Sequence, residues 1–422
     1  MERKIYNDLL KWKKTIKKPL LIYGPKQVGK TFSVLEFGKK YYKNVVYLDT
    51  DNNKELVDIL KREKTPERLI LKISVLSGET ILKEDTLIIL DNVNDPYIVK
   101  TIKLFGTETN PYPIIMITSR KENLNKFKGE ELSFKAMYPI DFEEFLVNCD
   151  QKQLVAFIKD SYLNNTPMPF HQVALDLYND YLVTGGYPEI VDGYLKKIDY
   201  LKLESMKGKI IDTIRKETIN ANNLIDILRS NEVINSLPSQ LLKENKKFQY
   251  GNIKKGSRSK DFEASINYLG MNGLIHRSFK LNDVKSPLSS NKDIESFKLY
   301  PNDVGILYTM MHLNRIKFLS DNDIRRTLIE CNVANTLIEY GHSLYYYQSE
   351  GKTEINFVIQ NRMGEIIPIE ILNMNLSKAK ALSMFISKFK VDMPIRLSEE
   401  NFSKKKNIRY IPVYAAFCLK DL

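Results

Sequence analysis

Residues 20–31 read Leu-Leu-Ile-Tyr-Gly-Pro-Lys-Gln-Val-Gly-Lys-Thr, and this stretch decides the fold of the N-terminal part of the chain. Its first four residues are typical of a buried strand, and the residues from Phe32 onward are spaced as on a helix. Between strand and helix the sequence follows the pattern G-x-x-x-x-G-K-[ST], which predicts a phosphate-binding loop in that context. The alternative is a chance match in a strand–helix turn.

The chemistry of this loop predicts which residues bind a nucleotide. A helix start presents unpaired N–H groups and a partial positive charge, so it attracts phosphate. The two glycines allow the backbone to approach the phosphate closely, whereas Pro25 has no N–H to donate. We expect Lys30 to reach the β- and γ-phosphates of ATP, and the Thr31 hydroxyl to bind Mg²⁺. The predicted nucleotide-binding residues are Gly24, Pro25, Lys26, Gln27, Val28, Gly29, Lys30 and Thr31.

A second motif, residues 86–91, is Thr-Leu-Ile-Ile-Leu-Asp. Its apolar run predicts a strand buried on both faces, and an acid at the carboxyl end of such a strand lies where open α/β sheets bind ligands. Asp91 is therefore the second predicted Mg²⁺ contact, the alternative being an ordinary loop aspartate. The next residue is Asn92, whose neutral amide can position a water molecule but cannot accept its proton. We expect slow hydrolysis, or an acid supplied from elsewhere, for which Asp95 is a candidate.

A third apolar run, residues 114–117, leads into Thr118, Ser119 and Arg120. One of the two hydroxyls is expected to sense the γ-phosphate, and the alternative is a plain polar strand end. Arg120 is a candidate arginine finger only because it follows this strand. The predicted catalytic residues are Lys30, Asp91, Asn92 and Ser119.

The composition is that of a globular protein. The chain has 422 residues, of which 43% are hydrophobic and 27% charged, and this length suits two to four domains. No apolar stretch is long enough to span a bilayer, and the N-terminus does not resemble a signal peptide, so we expect a cytoplasmic protein without a membrane partner. The three cysteines lack metal-ligand spacing and are expected to be buried thiols. The four histidines are isolated and are expected to be structural.

The net charge is +12, from 64 basic and 52 acidic residues. This excess is either an electrostatic footprint for nucleic acid or a bias in composition. Positive charge is concentrated in one segment around a predicted helix-turn-helix. Such a segment could contact phosphates, so double-stranded DNA is a candidate partner. The alternative is a solvated loop. Its basic residues are Lys243, Lys246, Lys247, Lys254, Lys255, Arg258 and Lys260.

The pattern of elements predicts an α/β protein of four regions. Strands are expected at 20–23, 45–49, 69–73, 87–91 and 114–118, alternating with helices as in a parallel sheet. The predicted regions are a P-loop ATPase core at 1–140, a helical lid at 141–202, a winged-helix-like module at 203–296 and an α/β domain at 297–422. In the last region a hairpin is expected between residues 355–359 and 366–371.

Together these features resemble a prokaryotic family that joins an AAA-type ATPase domain to a winged helix and a C-terminal domain of the PD-(D/E)xK nuclease superfamily, as in ATPases fused to a DUF4143-type domain. Besides the loop at 24–31, the resemblance rests on residues 90–91, 138–146, 184–189, 297–300, 303–305, 354–358 and 368–370. It implies an AAA ATPase core and a C-terminal fold like that of restriction endonucleases.

The C-terminal domain departs from the pattern that this resemblance implies. A nuclease of this type needs two acids that bind Mg²⁺ and a lysine that stabilises charge. The matching positions are Asn356, Glu370 and Leu372, with Glu330 matching a further helix acid of the family. Because an amide and a leucine replace two of the three central groups, we expect the fold to be kept and cutting to be lost. Ordinary structural roles for Glu330 and Glu370 are the alternative.

The sequence is compatible with three functional hypotheses. The first is a slow Mg²⁺-dependent ATPase whose nucleotide state controls a DNA- or protein-binding C-terminal half. The second is a module that binds ATP without useful turnover. The third, an ATP-dependent nuclease, is disfavoured by Asn356 and Leu372.

Overall fold

The computed structural model describes residues 1–15, 18–107, 109–120, 132–217, 224–350, 353–372, 380–389, 391 and 393–422. They form two compact units. One comprises residues 1–138 with 271–273, and the other comprises 139–270 with 274–422. Within the described residues, none of the helices has the length and apolar character needed to cross a membrane.

The first unit is a five-stranded parallel sheet with helices. Its strands are β1 (Leu20–Tyr23), β2 (Asn44–Asp49), β3 (Thr86–Asp91), β4 (Ile114–Thr118) and β5 (Ser133–Ala136). Its described helices are α1 (Ile5–Thr15), α2 (Lys30–Tyr41), α3 (Lys54–Arg62), α4 (Pro66–Ser77) and α5 (Pro96–Ile102). The strand order is β2-β3-β4-β1-β5, and all neighbours run parallel. The predicted α/β class with a parallel sheet of the P-loop type is confirmed.

Because the five strands run parallel, their polar carboxyl ends lie together at one end of the sheet. All six residues of β3 are buried, as its apolar run predicts. Asp91 at its end is paired in Cα register with Asp49 at the end of β2. On the other side of the sheet, Tyr23 at the end of β1 is paired with Thr118 at the end of β4. Because parallel strands end at the same edge, the loops that follow them lie together there.

One sequence-based assignment in this unit is wrong, and one strand was not predicted. Residues 69–73 lie in helix α4 and not in a strand. Pro66 occupies the first turn, where its missing N–H has no cost, and the buried residues Leu69, Ile70 and Ile73 share one helical face. Strand β5 was not predicted, because its sequence Ser-Phe-Lys-Ala has no apolar run and it lies at an edge of the sheet.

The second unit contains an eight-stranded mixed sheet. Its strands are β6 (Ile275–Leu281), β7 (Lys292–Pro301), β8 (Tyr345–Gln348), β9 (Glu354–Gln360), β10 (Ile366–Ile371), β11 (Ile395–Ser398), β12 (Ser403–Lys405) and β13 (Ile408–Pro412). The strand order is β12-β13-β11-β10-β9-β8-β6-β7. Strands β9 and β10 pair antiparallel, so the predicted hairpin is confirmed.

Helices cover most of the remainder of this unit. Those within the described residues are α6 (Phe142–Asn148), α7 (Lys152–Asn164), α8 (His171–Thr184), α9 (Pro188–Leu195), α10 (Tyr200–Glu217), α11 (Leu224–Leu241), α12 (Ser259–Met271), α13 (Val304–Met310), α14 (Arg315–Ser320), α15 (Asn322–Glu339) and α16 (Lys380–Phe389). A 3₁₀ helix, Val413–Asp421, follows β13.

The boundaries predicted at 202/203 and 296/297 fall inside α10 and β7, so neither marks a linker. The hairpin β6–β7, which was expected to belong to the winged-helix-like module, continues into the C-terminal strands because β6 pairs in parallel with β8. The two predicted regions therefore share one sheet.

Candidate nucleotide-binding site

The loop after β1 has the backbone that its glycines predict. Gly29 has φ of +90°, a left-handed conformation that glycine adopts without strain. A Cβ atom at Gly24 would lie 2.0 Å from the carbonyl oxygen of Met137, so only glycine fits there. Helix α2 begins at Lys30, and no side chain of the described residues caps its start. Such a helix start presents N–H groups that suit an anion.

The ammonium group of Lys30 lies within this loop. Only 6% of the residue is exposed, and its Nζ donates hydrogen bonds to the carbonyl oxygens of Gly24 (2.8 Å) and Pro25 (2.6 Å). The same Nζ donates to Ser119 Oγ at 3.2 Å, just after the end of β4. The predicted phosphate-binding lysine and the predicted serine are thus in direct contact.

Thr31 and Asp91 are brought together across 60 residues of sequence. Thr31 Oγ1 donates a 2.6 Å hydrogen bond to Asp91 Oδ2, and the Tyr47 hydroxyl donates to the same oxygen at 3.0 Å. Burial, reinforced by the negative charge of Asp91, raises the pKa of Tyr47, so its hydroxyl stays a donor at neutral pH. Sequence reasoning missed Tyr47, although its position two residues before the end of β2 places it on the same face as Asp49.

The oxygen atoms of Thr31 and Asp91 fit Mg²⁺, which prefers hard oxygen ligands and keeps several waters beside one or two protein groups. Within the described residues no cluster of three or more His, Cys, Asp or Glu side chains could hold a metal on its own. Two protein ligands would leave the other positions of an octahedral Mg²⁺ to waters and phosphate oxygens.

Asn92 is held between two acids. Its backbone N–H donates to Asp91 Oδ1 (2.8 Å), and its side-chain Nδ2 donates to Asp49 Oδ1 (2.9 Å). Burial alone would raise the pKa of Asp49, but hydrogen bonds from Asn92, the Asp51 N–H and Asn52 outweigh it and lower that pKa. Asp49 was missed in the sequence analysis. The available signal was its place at the carboxyl end of the strand predicted at residues 45–49.

The other candidates near this edge have separate partners. Thr118 Oγ1 donates to Asn94 Oδ1 (3.3 Å) and accepts from the backbone N–H of Arg120 (3.1 Å), so Ser119 is the hydroxyl that contacts Lys30. Asp95 caps helix α5 and its Oδ2 lies 2.6 Å from Lys61 Nζ. The Asp95 carboxylate is thus engaged with α5 and α3.

In the second unit, Glu330 is buried and surrounded by donors. Its carboxylate accepts hydrogen bonds from Lys246 Nζ (2.8 Å), Lys298 Nζ (3.2 Å), Tyr300 OH (2.6 Å) and Asn356 Nδ2 (3.1 Å). Burial alone would raise the pKa of Glu330, but the charges of Lys246 and Lys298 outweigh it and hold that pKa well below its usual range.

Glu370 is paired with a different basic residue, Arg396. Its Oε2 accepts from Arg396 Nε at 2.7 Å, and burial raises its pKa in spite of this partner. Asn356 Oδ1 accepts from the backbone N–H of Ile371, so this amide links Glu330 to the end of β10. Leu372 donates its N–H to the carbonyl of Leu397 and contributes no charge. The acids of the predicted degenerate nuclease site are therefore neutralised by basic side chains.

The basic segment divides between interior and surface. Lys246 is buried against Glu330, which corrects its assignment to a DNA-facing set, and Lys247 donates to Ser296 Oγ at 2.7 Å. The exposed members are Lys243, Lys254, Lys255, Arg258 and Lys260.

Comparison with known families identifies three domains. Residues 16–146 match an AAA domain, residues 175–317 match a domain of unknown function (DUF8612), and residues 326–416 match another domain of unknown function (DUF4143). The chain thus carries an AAA domain followed by a DUF4143 domain, as the resemblance implied, and the AAA domain supports nucleotide binding. No curated protein matches the sequence.

Solved structures show distant similarity. AMPPCP-bound DnaA from Aquifex aeolicus is 15% identical, with a TM-score of 0.30, over 64% of this chain and 86% of that chain. The RuvB Holliday junction branch migration motor of Thermotoga maritima is 10% identical, with a TM-score of 0.30, over 68% and 91%. A STAND ATPase with a tetratricopeptide repeat sensor from Pyrococcus horikoshii is 14% identical, with a TM-score of 0.27. It matches 81% of this chain, which spans 46% of that protein.

Proposed function

We propose that the chain binds Mg·ATP at the sheet edge of its first unit and hydrolyses it slowly, and that the nucleotide state controls a DNA- or protein-binding C-terminal half. The observation that carries this proposal is the convergence of Lys30, Thr31 and Asp91 at the start of α2. The 2.6 Å hydrogen bond between Thr31 and Asp91 supports a preformed pair of Mg²⁺ contacts.

Each residue of the site has a separate role in this proposal. The N–H groups of the loop and of the start of α2 bind the phosphates, and the Lys30 ammonium moves from the carbonyls of Gly24 and Pro25 to the β- and γ-phosphates. Thr31 and Asp91 hold the metal, whose chemistry is to neutralise the charge on the phosphates. Ser119, beside Lys30, contacts the γ-phosphate.

Slow turnover follows from Asn92. An amide orients water by hydrogen bonding but is not a base at neutral pH, so the proton must be transferred without a carboxylate in direct contact with the water. The second candidate function is an ATP-binding module that does not turn over, and the same residue favours it. The two candidates differ only in whether phosphate is released.

We expect the chain to lack nuclease activity. If the C-terminal domain has the nuclease-like fold that the sequence resembles, its acids are already paired: Glu330 with Lys246 and Lys298, and Glu370 with Arg396. A divalent metal would have to displace buried ammonium and guanidinium groups, and uncovering such buried charges is costly.

The test is steady-state ATP hydrolysis by the full chain with Mg²⁺, with and without duplex DNA, beside the Lys30→Ala variant. Turnover that Lys30→Ala abolishes supports the ATPase, and stimulation by DNA supports a nucleic-acid-coupled one. Tight ATP binding without phosphate release supports the non-hydrolysing module. A chain that does not bind ATP contradicts both.

A further inference from the structure

The carboxylate of Asp49 is an acid at the candidate site that lies outside every motif of the sequence. It ends β2 in Cα register with Asp91 at the end of β3. Adjacent parallel strands lie about 4.8 Å apart, so the two acids start from neighbouring points of the same edge. Asp49 is half-buried, whereas Asp91 is buried.

Asp49 contacts the candidate site through a hydrogen bond from the side chain of Asn92. The amide Nδ2 donates to Asp49 Oδ1 at 2.9 Å, while the backbone N–H of Asn92 is fixed by Asp91 Oδ1 at 2.8 Å. Asn92 has φ of +57°, a left-handed conformation that asparagine tolerates better than most residues. Main chain and side chain of Asn92 are thus each held by one carboxylate.

Asp49 is itself held in place. Its Oδ1 accepts the N–H of Asp51 at 3.0 Å, and its Oδ2 accepts Asn52 Nδ2 at 2.5 Å. These contacts fix the direction from which the carboxylate meets the amide. An amide whose N–H donates to a carboxylate is polarised, and its oxygen becomes a stronger acceptor because hydrogen bonds in a chain reinforce one another.

We infer that Asp49 is a positioning residue for ATP hydrolysis, which orients and polarises the Asn92 amide so that Asn92 Oδ1 accepts a hydrogen bond from the attacking water. This inference rests on the proposed ATPase function. Asp49 and Asn92 together then supply, over two residues, the orientation and negative charge that a single carboxylate after Asp91 would provide.

The step balances without a further reactant. The water oxygen forms a bond to the γ-phosphorus, and the bond from that phosphorus to the β,γ-bridging oxygen breaks, its electron pair leaving with ADP. One proton of the water passes to a non-bridging oxygen of the transferred group, which yields dihydrogen phosphate. Asp49 and Asn92 orient the water and end the step in the protonation state in which they began it.

The experiment compares four full-length proteins: the wild type, Asp49→Asn, Asn92→Glu and the double variant. Asp49→Asn removes the charge but keeps an oxygen for the Asp51 N–H. We expect it to lower kcat by about 10- to 100-fold, with KM for ATP changed less than about twofold. This loss lies at or below the lower limit of about 100-fold for a group that itself transfers the proton, because Asp49 acts only through Asn92. Asn92→Glu places a carboxylate directly beside the water, so the double variant should regain the wild-type kcat or exceed it.

A merely structural Asp49 gives a different result. Its loss would lower the melting temperature, change KM together with kcat, and resist rescue by Asn92→Glu. If Asp49→Asn fails to fold, Asn92→Ala tests the same contact while leaving the Asp51 and Asn52 bonds to Asp49 in place, and it should reproduce the loss of kcat. An unchanged kcat in Asp49→Asn or in Asn92→Ala overturns the inference.

Titration with ATP separates this inference from the proposed function. If the wild type does not bind ATP, the proposed function fails and the inference fails with it. If ATP binds and is hydrolysed equally by wild type and Asp49→Asn, only the inference fails. If ATP binds without any turnover, the inference is overturned while the non-hydrolysing module stands.

Discussion

Lys30 Nζ lies 3.2 Å from Ser119 Oγ and donates a hydrogen bond to it, which joins the start of α2 to the loop after β4. The two residues are 89 positions apart in the chain, and they meet because β1 and β4 are neighbours in the sheet. The proposed γ-phosphate position therefore has a cation and a hydroxyl that already contact each other.

Replacing Lys30 should remove nucleotide binding. Lys30→Ala deletes the charge-assisted contacts to the phosphates, each worth about 1.5–3 kcal/mol, so we expect ATP affinity to fall roughly 100-fold or more. The measurement is a fluorescence titration with a labelled ATP analogue. Lys39→Ala is the matched control, because Lys39 is an exposed lysine on the same helix that pairs with Glu36. Equal affinities in the two variants would contradict the site.

Ser119 should matter more for turnover than Thr118. Ser119→Ala removes the hydroxyl beside Lys30, and we expect kcat to fall by about 3- to 10-fold, as for the loss of one hydrogen bond of roughly 1 kcal/mol. Thr118→Val breaks the contacts to Asn94 and the Arg120 N–H and should mainly lower the melting temperature. Steady-state kinetics of both variants check this, and a larger drop in kcat for Thr118→Val would reverse the assignment.

Glu330→Gln should destabilise the second unit. The substitution leaves the ammonium groups of Lys246 and Lys298 buried without their shared counter-charge, which costs roughly 3–5 kcal/mol in the free energy of unfolding. Urea unfolding of the full chain measures this change in the free energy of unfolding. Asp192→Asn breaks an exposed pair with Lys196 and should change stability by roughly 0.5 kcal/mol or less. A similar loss of unfolding free energy in the two variants would show that the buried cluster stabilises the fold no more than an exposed ion pair does.

The same cluster predicts a pH dependence. The pKa of Glu330 is depressed in the folded state, so its stabilisation is complete above the ordinary glutamate value of 4.5. It is lost progressively as the pH falls below that value towards the folded pKa. The stability difference between wild type and Glu330→Gln should therefore shrink as the pH is lowered through this range. A difference that stays constant down to strongly acidic pH would contradict this.

The exposed basic residues offer a test of DNA binding. Replacing Lys254, Lys255 and Arg258 by alanine should weaken binding to duplex DNA and flatten its salt dependence, by about 0.9 in the log–log slope for each lost phosphate contact. Fluorescence anisotropy at several salt concentrations measures both. The control removes the same charge at the exposed residues Lys404, Lys405 and Lys406. Equal slopes in wild type and both triple variants would leave the segment as solvated surface.

The local pattern of apolar residues was sufficient to predict strands that are equally buried along their whole length. Strands β3 and β4 are buried at every residue, so an apolar run identified them. It failed at residues 69–73, because a short apolar run does not distinguish a strand from one face of a helix. It also failed at β5, an edge strand without such a run. Charge along the sequence did not show which basic residues are exposed. Lys246 lies in a basic segment but is buried against a glutamate 84 residues away.

The sequence by itself determined the strand–loop–helix from Leu20 to Thr31, for which phosphate binding is predicted, and the place of the acid Asp91, because glycine geometry, the helix start and the apolar strand are local properties of consecutive residues. Only the tertiary structure decided which groups meet there. The pairing of β2 with β3 brings Asp49 to Asn92, and the order of β4 beside β1 brings Ser119 to Lys30. Neighbours in a parallel sheet are set by packing between distant segments, and no spacing along the chain encodes them.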